Sequence, residues 1–369
     1  MLVKIKSFVK KEAVFCISFV CAVITMFLVP PSVEYIEYID FRVLCLLFSL
    51  MAVVAGMNDV GAFRYLTFKL MKSIKNGRIL GATLVMLPFF TSMFITNDVA
   101  LIVFIPFTLA LLAQLRCERS IIPIIVLQTV AANLGSMATP VGNPQNLFLY
   151  SAFNLSFSEF TSVVLPLTIL SFVFLLLFSF PVMPSELPEV EIEKSDISNK
   201  KHLAIYIILF ALCLLTVLRV VPYYITTAVI CIVLLIINNK IFNKIDYMLL
   251  LTFVCFFIIS ENLGKTQVVR DFLVELLGKN TLFTAVGTSQ IISNVPAAVL
   301  LSAFTENWQA LLQGVNIGGL GTPIASLASL ITLKLYMVSK DAKVIRFLGV
   351  FTVANIIGLL ILIISTFLI

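Results

Sequence analysis

The sequence predicts an all-α polytopic membrane protein built from two inverted-topology repeats, each with a re-entrant helical hairpin and a broken transmembrane helix. Three observations carry that prediction. Hydrophobic residues fill 60% of the 369 positions and charged residues 12%, with a mean hydropathy of +1.11, values that no soluble domain with a polar shell sustains. Asn133-Leu-Gly135-Ser-Met-Ala-Thr139-Pro140-Val-Gly142-Asn143 and Asn316-Ile-Gly318-Gly-Leu-Gly-Thr322-Pro323-Ile-Ala-Ser326 share the pattern Asn-x-Gly-x-x-x-Thr-Pro inside apolar segments. Each puts helix-breaking Gly and Pro where the bilayer midplane falls, and a matched pair of broken helices points to a transporter's binding site. Finally, the basic residues divide unequally between the two faces of the membrane.

Taken in order, Lys4, Lys6, Lys10 and Lys11 precede an apolar run from Ala13 to Val29. No small-x-small cleavage site follows, so the run reads as a membrane helix and not as a signal peptide. Spanning candidates are 12–30, 41–57, 121–154 (interrupted), 161–181, 203–218, 223–239, 246–262, 308–338 (interrupted) and 347–369. With the N-terminus in the cytoplasm, and with 79–115 and 281–305 each beginning and ending on one side, all but five of the 25 Lys and Arg collect inside. The exceptions are Arg42, Arg219, Lys265, Arg270 and Lys279. This is the asymmetry of the positive-inside rule in the cell (cytoplasmic) membrane, and it leaves the C-terminus outside. The net charge of +6 is then topological and calls for no nucleic-acid partner.

The seven cysteines form no C-x-x-C pair, and His202 is the single histidine. Neither a disulfide framework nor a zinc site is supported, and the cysteines read as small hydrophobes between helices. His202 reads as a solvated residue of a charged loop. No G-x-x-x-x-G-K-[ST] motif occurs, so the chain is read as no enzyme and no ATP-driven pump.

Region 79–115 holds one charge, Asp98, and is flanked by basic residues at both ends. Its arms are long enough either to cross or to turn back. In 281–305 the arms Thr281 to Ile292 and Pro296 to Thr305 reach only about 18 and 15 Å as helix against a hydrocarbon core of about 30 Å, so they turn back inside the membrane. Thr96-Asn97-Asp98 aligns with Ser293-Asn294-Val295, and Asp40-Phe41 with Asp246-Tyr247. The order of helix, hairpin and broken helix thus occurs twice with opposite direction. Residues 1–181 form the first repeat, 182–202 a flexible cytoplasmic linker, and 203–369 an extra helix plus the second repeat.

Interrupted helices and hairpin tips expose unpaired carbonyls and N–H groups that must find partners in hydrocarbon. A bound ion and an anionic substrate are suited to those helix ends. The side chains offered there are short: Thr96, Asn97, Asn133, Gly135, Thr139, Pro140, Gly142 and Asn143 in the first half, and Ser293, Asn294, Asn316, Gly318, Thr322, Pro323 and Ser326 in the second. Asn97 and Asn294 rank first because an amide serves a cation through its oxygen and an anion through its nitrogen. Asp98 is a carboxyl near the midplane, where an unpaired charge is costly, so it reads as a cation or proton coupling residue. The bland alternative makes it the N-cap of the second arm. Sodium sites are expected at Asn97, Asp98 and Asn294, with Na⁺ or H⁺ as the coupling ion and no cofactor. Asn58-Asp59 and Glu261-Asn262 read as solvated helix ends. Stretches 58–78 and 264–278 read as amphipathic surface helices.

These tips and breaks, with Asn143-Pro144-Gln145-Asn146 following the first, resemble the citrate-transporter-like permeases of the ion transporter superfamily. That superfamily includes divalent anion/sodium symporters, arsenite permeases and sodium/proton antiporters. The resemblance implies a scaffold domain, a transport domain of hairpins and broken helices, a homodimer and an elevator-like motion. The dicarboxylate symporters of that group carry Ser-Asn-Thr at both tips; here the asparagines carry over and the final threonines do not. The expected function is secondary transport of a small anion, a carboxylate or inorganic oxyanion, coupled to Na⁺ or H⁺. A Na⁺/H⁺ antiporter without organic substrate is the alternative, and a channel-like or receptor membrane protein is the alternative of another class.

Overall fold

Every regular element among the described residues is helical. The computed structural model describes residues 12–71, 74, 76–187, 196–339 and 342–368. Lys4, Lys6, Lys10, Lys11, Lys72, Lys75, Lys194 and Lys340 of the charge pattern lie outside them. Among the described residues seven segments are long and apolar enough to cross a membrane: Val33–Asp59, Asn97–Gln114, Glu118–Ser136, Phe157–Val182, Lys200–Val217, Tyr247–Gly264 and Val344–Ser365. This is the make-up of a multi-pass membrane protein.

In chain order the helices are α1 (Ala13–Thr25), α2 (Phe41–Asp59), α3 (Ala62–Met71), α4 (Gly77–Thr91), α5 (Asn97–Gln114), α6 (Glu118–Ser136), α7 (Pro144–Ala152) and α8 (Phe157–Ser179). They continue with α9 (Lys200–Val217), α10 (Tyr223–Ile237), α11 (Tyr247–Gly264), α12 (Gln267–Ile292), α13 (Asn294–Ser302), α14 (Trp308–Ile317), α15 (Leu327–Met337) and α16 (Val344–Ser365). α4 and α5 pack together as a hairpin, as do α12 and α13. The interruptions expected in 121–154 and 308–338 fall between α6 and α7 and between α14 and α15. After the first, Pro144 opens α7 at a position where a missing N–H costs nothing, and the Asn143 side chain caps Asn146 N at 2.9 Å.

Two groups of helices emerge from the packing. α4, α5, α6, α8, α14, α15 and α16 interlock around the two breaks, while α2 packs with α9 and α10, and α11 with α1. α13 and α7 bridge them: α13 lies against both α11 and α7, and α7 against α2. Inside the first group, Pro88 in α4 leaves the Leu84 carbonyl without its helical donor. Gln128 Nε2 supplies that donor at 2.9 Å and reaches Thr108 Oγ1 at 2.8 Å, tying α4, α5 and α6 together.

Several expectations need correction. The helix expected over 264–278 is present as the first part of α12, and it is separate from the hairpin arm, which begins anew after a break at Asn280 (φ −165°, ψ 101°). Asn280 Oδ1 accepts from Phe283 N at 3.0 Å and so starts the arm as a capped helix. The linker is anchored where it is described, since Ser120 Oγ donates to Val182 O at 2.8 Å, Gly77 N to Ser185 O at 2.9 Å and Ser198 N to Val60 O at 3.1 Å. Residues 188–195 of that linker lie outside the described part. His202 sits in the first turn of α9, its N–H bonded to Asn199 Oδ1 at 3.1 Å. Asn262 is no solvated helix end: it is fully buried, donating to Thr25 Oγ1 at 3.1 Å and Tyr35 OH at 2.9 Å. Asn58 and Asp59 do form an exposed helix end, where Asp59 is paired with Lys244 and accepts from Asn238 at 2.9 Å.

Candidate functional site

The two breaks meet and bond to each other across the centre of the first helix group. Asn133, near the end of α6, accepts at Oδ1 from Ser326 Oγ at 2.9 Å and donates from Nδ2 to Gly319 O at 3.4 Å. Asn316, near the end of α14, accepts at Oδ1 from Asn143 Nδ2 at 3.3 Å. Asn133 and Asn316 hold the same place in their motifs, and so do Asn143 and Ser326. One bond is therefore made twice, with the halves exchanged. All four residues are buried, where an unpaired amide would be costly.

Each tip seals against the break of its own half. Asn97 N donates to Gly142 O at 3.1 Å and Asn294 N to Ala325 O at 2.9 Å, again at matching positions. The side chains diverge. Asn97 Nδ2 donates to Asn133 Oδ1 at 3.0 Å, which joins the first tip to the shared cluster. The Asn294 amide lies against Gly319, and Ser293 Oγ donates to Ala325 O at 3.4 Å. Ser293 itself adopts φ 76°, ψ 154°, a conformation that glycine accepts and a side chain resists. Thr96 at the first tip is relaxed at φ −55°, ψ 148°.

Thr139 and Thr322 brace the loops from outside the cluster. Thr139 Oγ1 donates to Met93 O, and Thr322 Oγ1 donates to Gln290 O at 3.1 Å. Pro140 and Pro323 sit beside them in the break loops. Gly135 is required by close approach, since a Cβ there would lie 2.0 Å from Phe89 O. Gly142 and Gly318 offer carbonyls, to Asn97 N and to Gln290 Nε2 respectively.

Sequence reasoning missed two residues that satisfy the broken ends. Asn146 Nδ2 lies 3.3–3.4 Å from the carbonyls of Ser136, Met137 and Thr139, while its Oδ1 accepts from Asn316 Nδ2 at 2.7 Å. Gln290 does the same for the second break: Nε2 donates to Gly318 O and Leu320 O, both at 2.9 Å, and Oε1 accepts from Thr322 N at 2.9 Å. Gly321, at φ 111°, lets the loop fold over that amide. The signal for Asn146 was its place in the quoted motif. Gln290 had a weaker one, a lone amide in an apolar hairpin arm.

Asp98 is not an N-cap, since Thr96 occupies that place and Asp98 lies in the first turn of α5. Its Oδ1 is sealed from solvent and has no hydrogen-bond partner.

Residues 2–313 match the citrate transporter family. The chain belongs to that family. An uncharacterized transporter of Methanocaldococcus jannaschii is 36% identical over 89% of this chain and 90% of its own length. The inner membrane protein YbiR of Escherichia coli is 29% identical over 80% of each chain. The silicon efflux transporter LSI3 of Oryza sativa subsp. japonica is 34% identical over 35% of this chain and 26% of its own length. This citrate transporter family member is a membrane transporter and not an enzyme. Chemically, its candidate site offers amide and hydroxyl groups from both halves and one unpaired carboxyl oxygen. Among the described residues no His, Cys, Asp and Glu cluster could hold a transition metal.

Proposed function

We propose that this family member is a secondary transporter of the cytoplasmic membrane that moves a small anion, a carboxylate or an inorganic oxyanion, coupled to Na⁺ or H⁺. The observation that carries the reading is the doubled bond, Asn133 to Ser326 and Asn316 to Asn143, made across the breaks in exchanged register. It supports inverted repeats with re-entrant hairpins α4–α5 and α12–α13. It also supports a site between the breaks that alternates between the two faces by an elevator-like shift of the first helix group. On this reading the N-terminus is cytoplasmic, the C-terminus is outside, and a homodimer is held through the second group. The family's citrate name and the rice relative's silicon efflux name support both an organic and an inorganic member of the substrate class.

The unpaired Asp98 oxygen favours a second reading, Na⁺/H⁺ exchange without another solute, because one carboxyl can hold either cation in turn. Uptake into proteoliposomes decides between them, with Na⁺ and proton gradients imposed separately and labelled citrate, phosphate, arsenite or silicate inside the assay. Gradient-driven solute accumulation is expected; cation exchange with every solute immobile replaces the first reading by the second.

A further inference from the structure

One outer contact of the first repeat has no partner in the second. Asp40, at the N-cap of α2, accepts from Ser151 Oγ at 3.3 Å, where α2 packs on the far end of α7. Arg219, in the turn between α9 and α10, grips the same end. Its guanidinium donates to Tyr150 O at 3.3 Å and Asn154 O at 3.1 Å, and lies 5.3 Å from the Tyr150 ring centre.

The register that superimposes the two motifs puts Lys334 at the place of Ser151, and Asp246 aligns with Asp40. The two aspartates do the same local work: Asp40 Oδ1 accepts from Val43 N at 3.0 Å and Asp246 Oδ1 from Leu249 N at 2.9 Å. Their equivalence therefore rests on geometry as well as alignment. Yet Lys334 is exposed on α15 and, among the described residues, forms no ion pair. Nor does α15 pack on α11 in the way α7 packs on α2.

A slide along α11 repairs the difference. Lys334 stands two turns beyond Ser326, about 12 Å along α15. By the repeat equivalence, such a slide brings Lys334 to Asp246, in the way Ser151 now meets Asp40, and the same motion draws Ser151 off Asp40.

We propose that Lys334 and Asp246 close an ion pair in the second state of the carrier as the Ser151–Asp40 bond opens. The inference rests on the inverted-repeat, alternating-access reading above. Each state then has its own polar fastening at one end of one broken helix.

The test places cysteine pairs in a background freed of the seven native cysteines. Ser151→Cys with Asp40→Cys, and Lys334→Cys with Asp246→Cys, are oxidised in native membranes and read by peptide mass spectrometry. Both pairs are expected to cross-link singly, and oxidation of the first is expected to prevent the second in the same molecule. Failure of the second pair to cross-link, or both bonds forming together, overturns the inference. Charge reversal keeps it falsifiable if the cysteine variants fold poorly. Asp246→Lys or Lys334→Asp alone is expected to slow transport about tenfold and the double reversal to recover most of that loss; a double reversal no better than either single one also overturns it. A native chain that moves no solute while the two cross-links exclude each other sinks the anion reading and leaves this pair standing.

Discussion

Ser326 and Asn133 belong to different breaks, yet the Ser326 hydroxyl donates to the Asn133 amide oxygen at 2.9 Å, beside the bond from Asn97. One amide therefore joins the first tip and both broken helices. Asn133→Ala leaves the Asn97 amide and the Ser326 hydroxyl without that acceptor, at a cost of about 1–3 kcal/mol for a buried polar group. The expected result is lost transport with a lowered thermal midpoint, against Ser326→Ala, which keeps the Asn97 bond and loses less of both. Uptake assays and thermal unfolding in detergent read the two effects; equal behaviour of the variants contradicts the shared role.

Asp98→Asn keeps the size of the side chain and removes its charge. Its partnerless Oδ1 makes it the expected seat of the coupling ion, so the variant is expected to lose Na⁺ or pH dependence of transport rather than the ability to bind solute. Solute uptake measured across a pH series, with and without Na⁺, checks this. An unchanged dependence removes Asp98 from the coupling step.

Gln128→Leu tests the repair of α4. Without the Nε2 donor, the Leu84 carbonyl freed by Pro88 has no partner, a loss of about 1–3 kcal/mol. Thermal stability is expected to fall while the solute concentration for half-maximal transport stays near the native value, because Gln128 touches neither tip nor break.

At the second tip, Ser293→Gly removes a side chain from a backbone conformation at φ 76° that costs a non-glycine residue about 1–3 kcal/mol. The thermal midpoint is expected to rise. Ser293→Ala keeps the strain and is expected to fall at or below native. A glycine variant no more stable than the alanine one shows that the tip carries no strain.

The positions of the hairpins and breaks were readable because membrane helices hide little: a Gly or Pro in an apolar run must be met by a partner, and the motif repeated it at the same spacing. The identity of those partners was less readable. Asn146 and Gln290 act across turns and between helices, and their roles depend on which carbonyls the loops turn inward. Asn262 was misjudged for a related reason. Its place at a helix end suggests solvent, but α1 and Tyr35 cover it. The linker at 181–202 looked loose from its prolines and charges, yet Val182 and Ser185 offer carbonyls to Ser120 and Gly77. Long-range docking of that sort leaves no local trace in composition.

Asp98 is the single ionisable side chain in the tips and breaks, and this fixes the electrical character of the empty carrier. If the unloaded site returns with a bare carboxylate, it carries one negative charge through the field, worth about 2.3 kcal/mol per 100 mV for a full crossing. A returning site that keeps a proton or a sodium ion crosses without that term. The voltage dependence of the return step, followed by pre-steady-state currents on a supported membrane, thus reports which occupant rides back on Asp98.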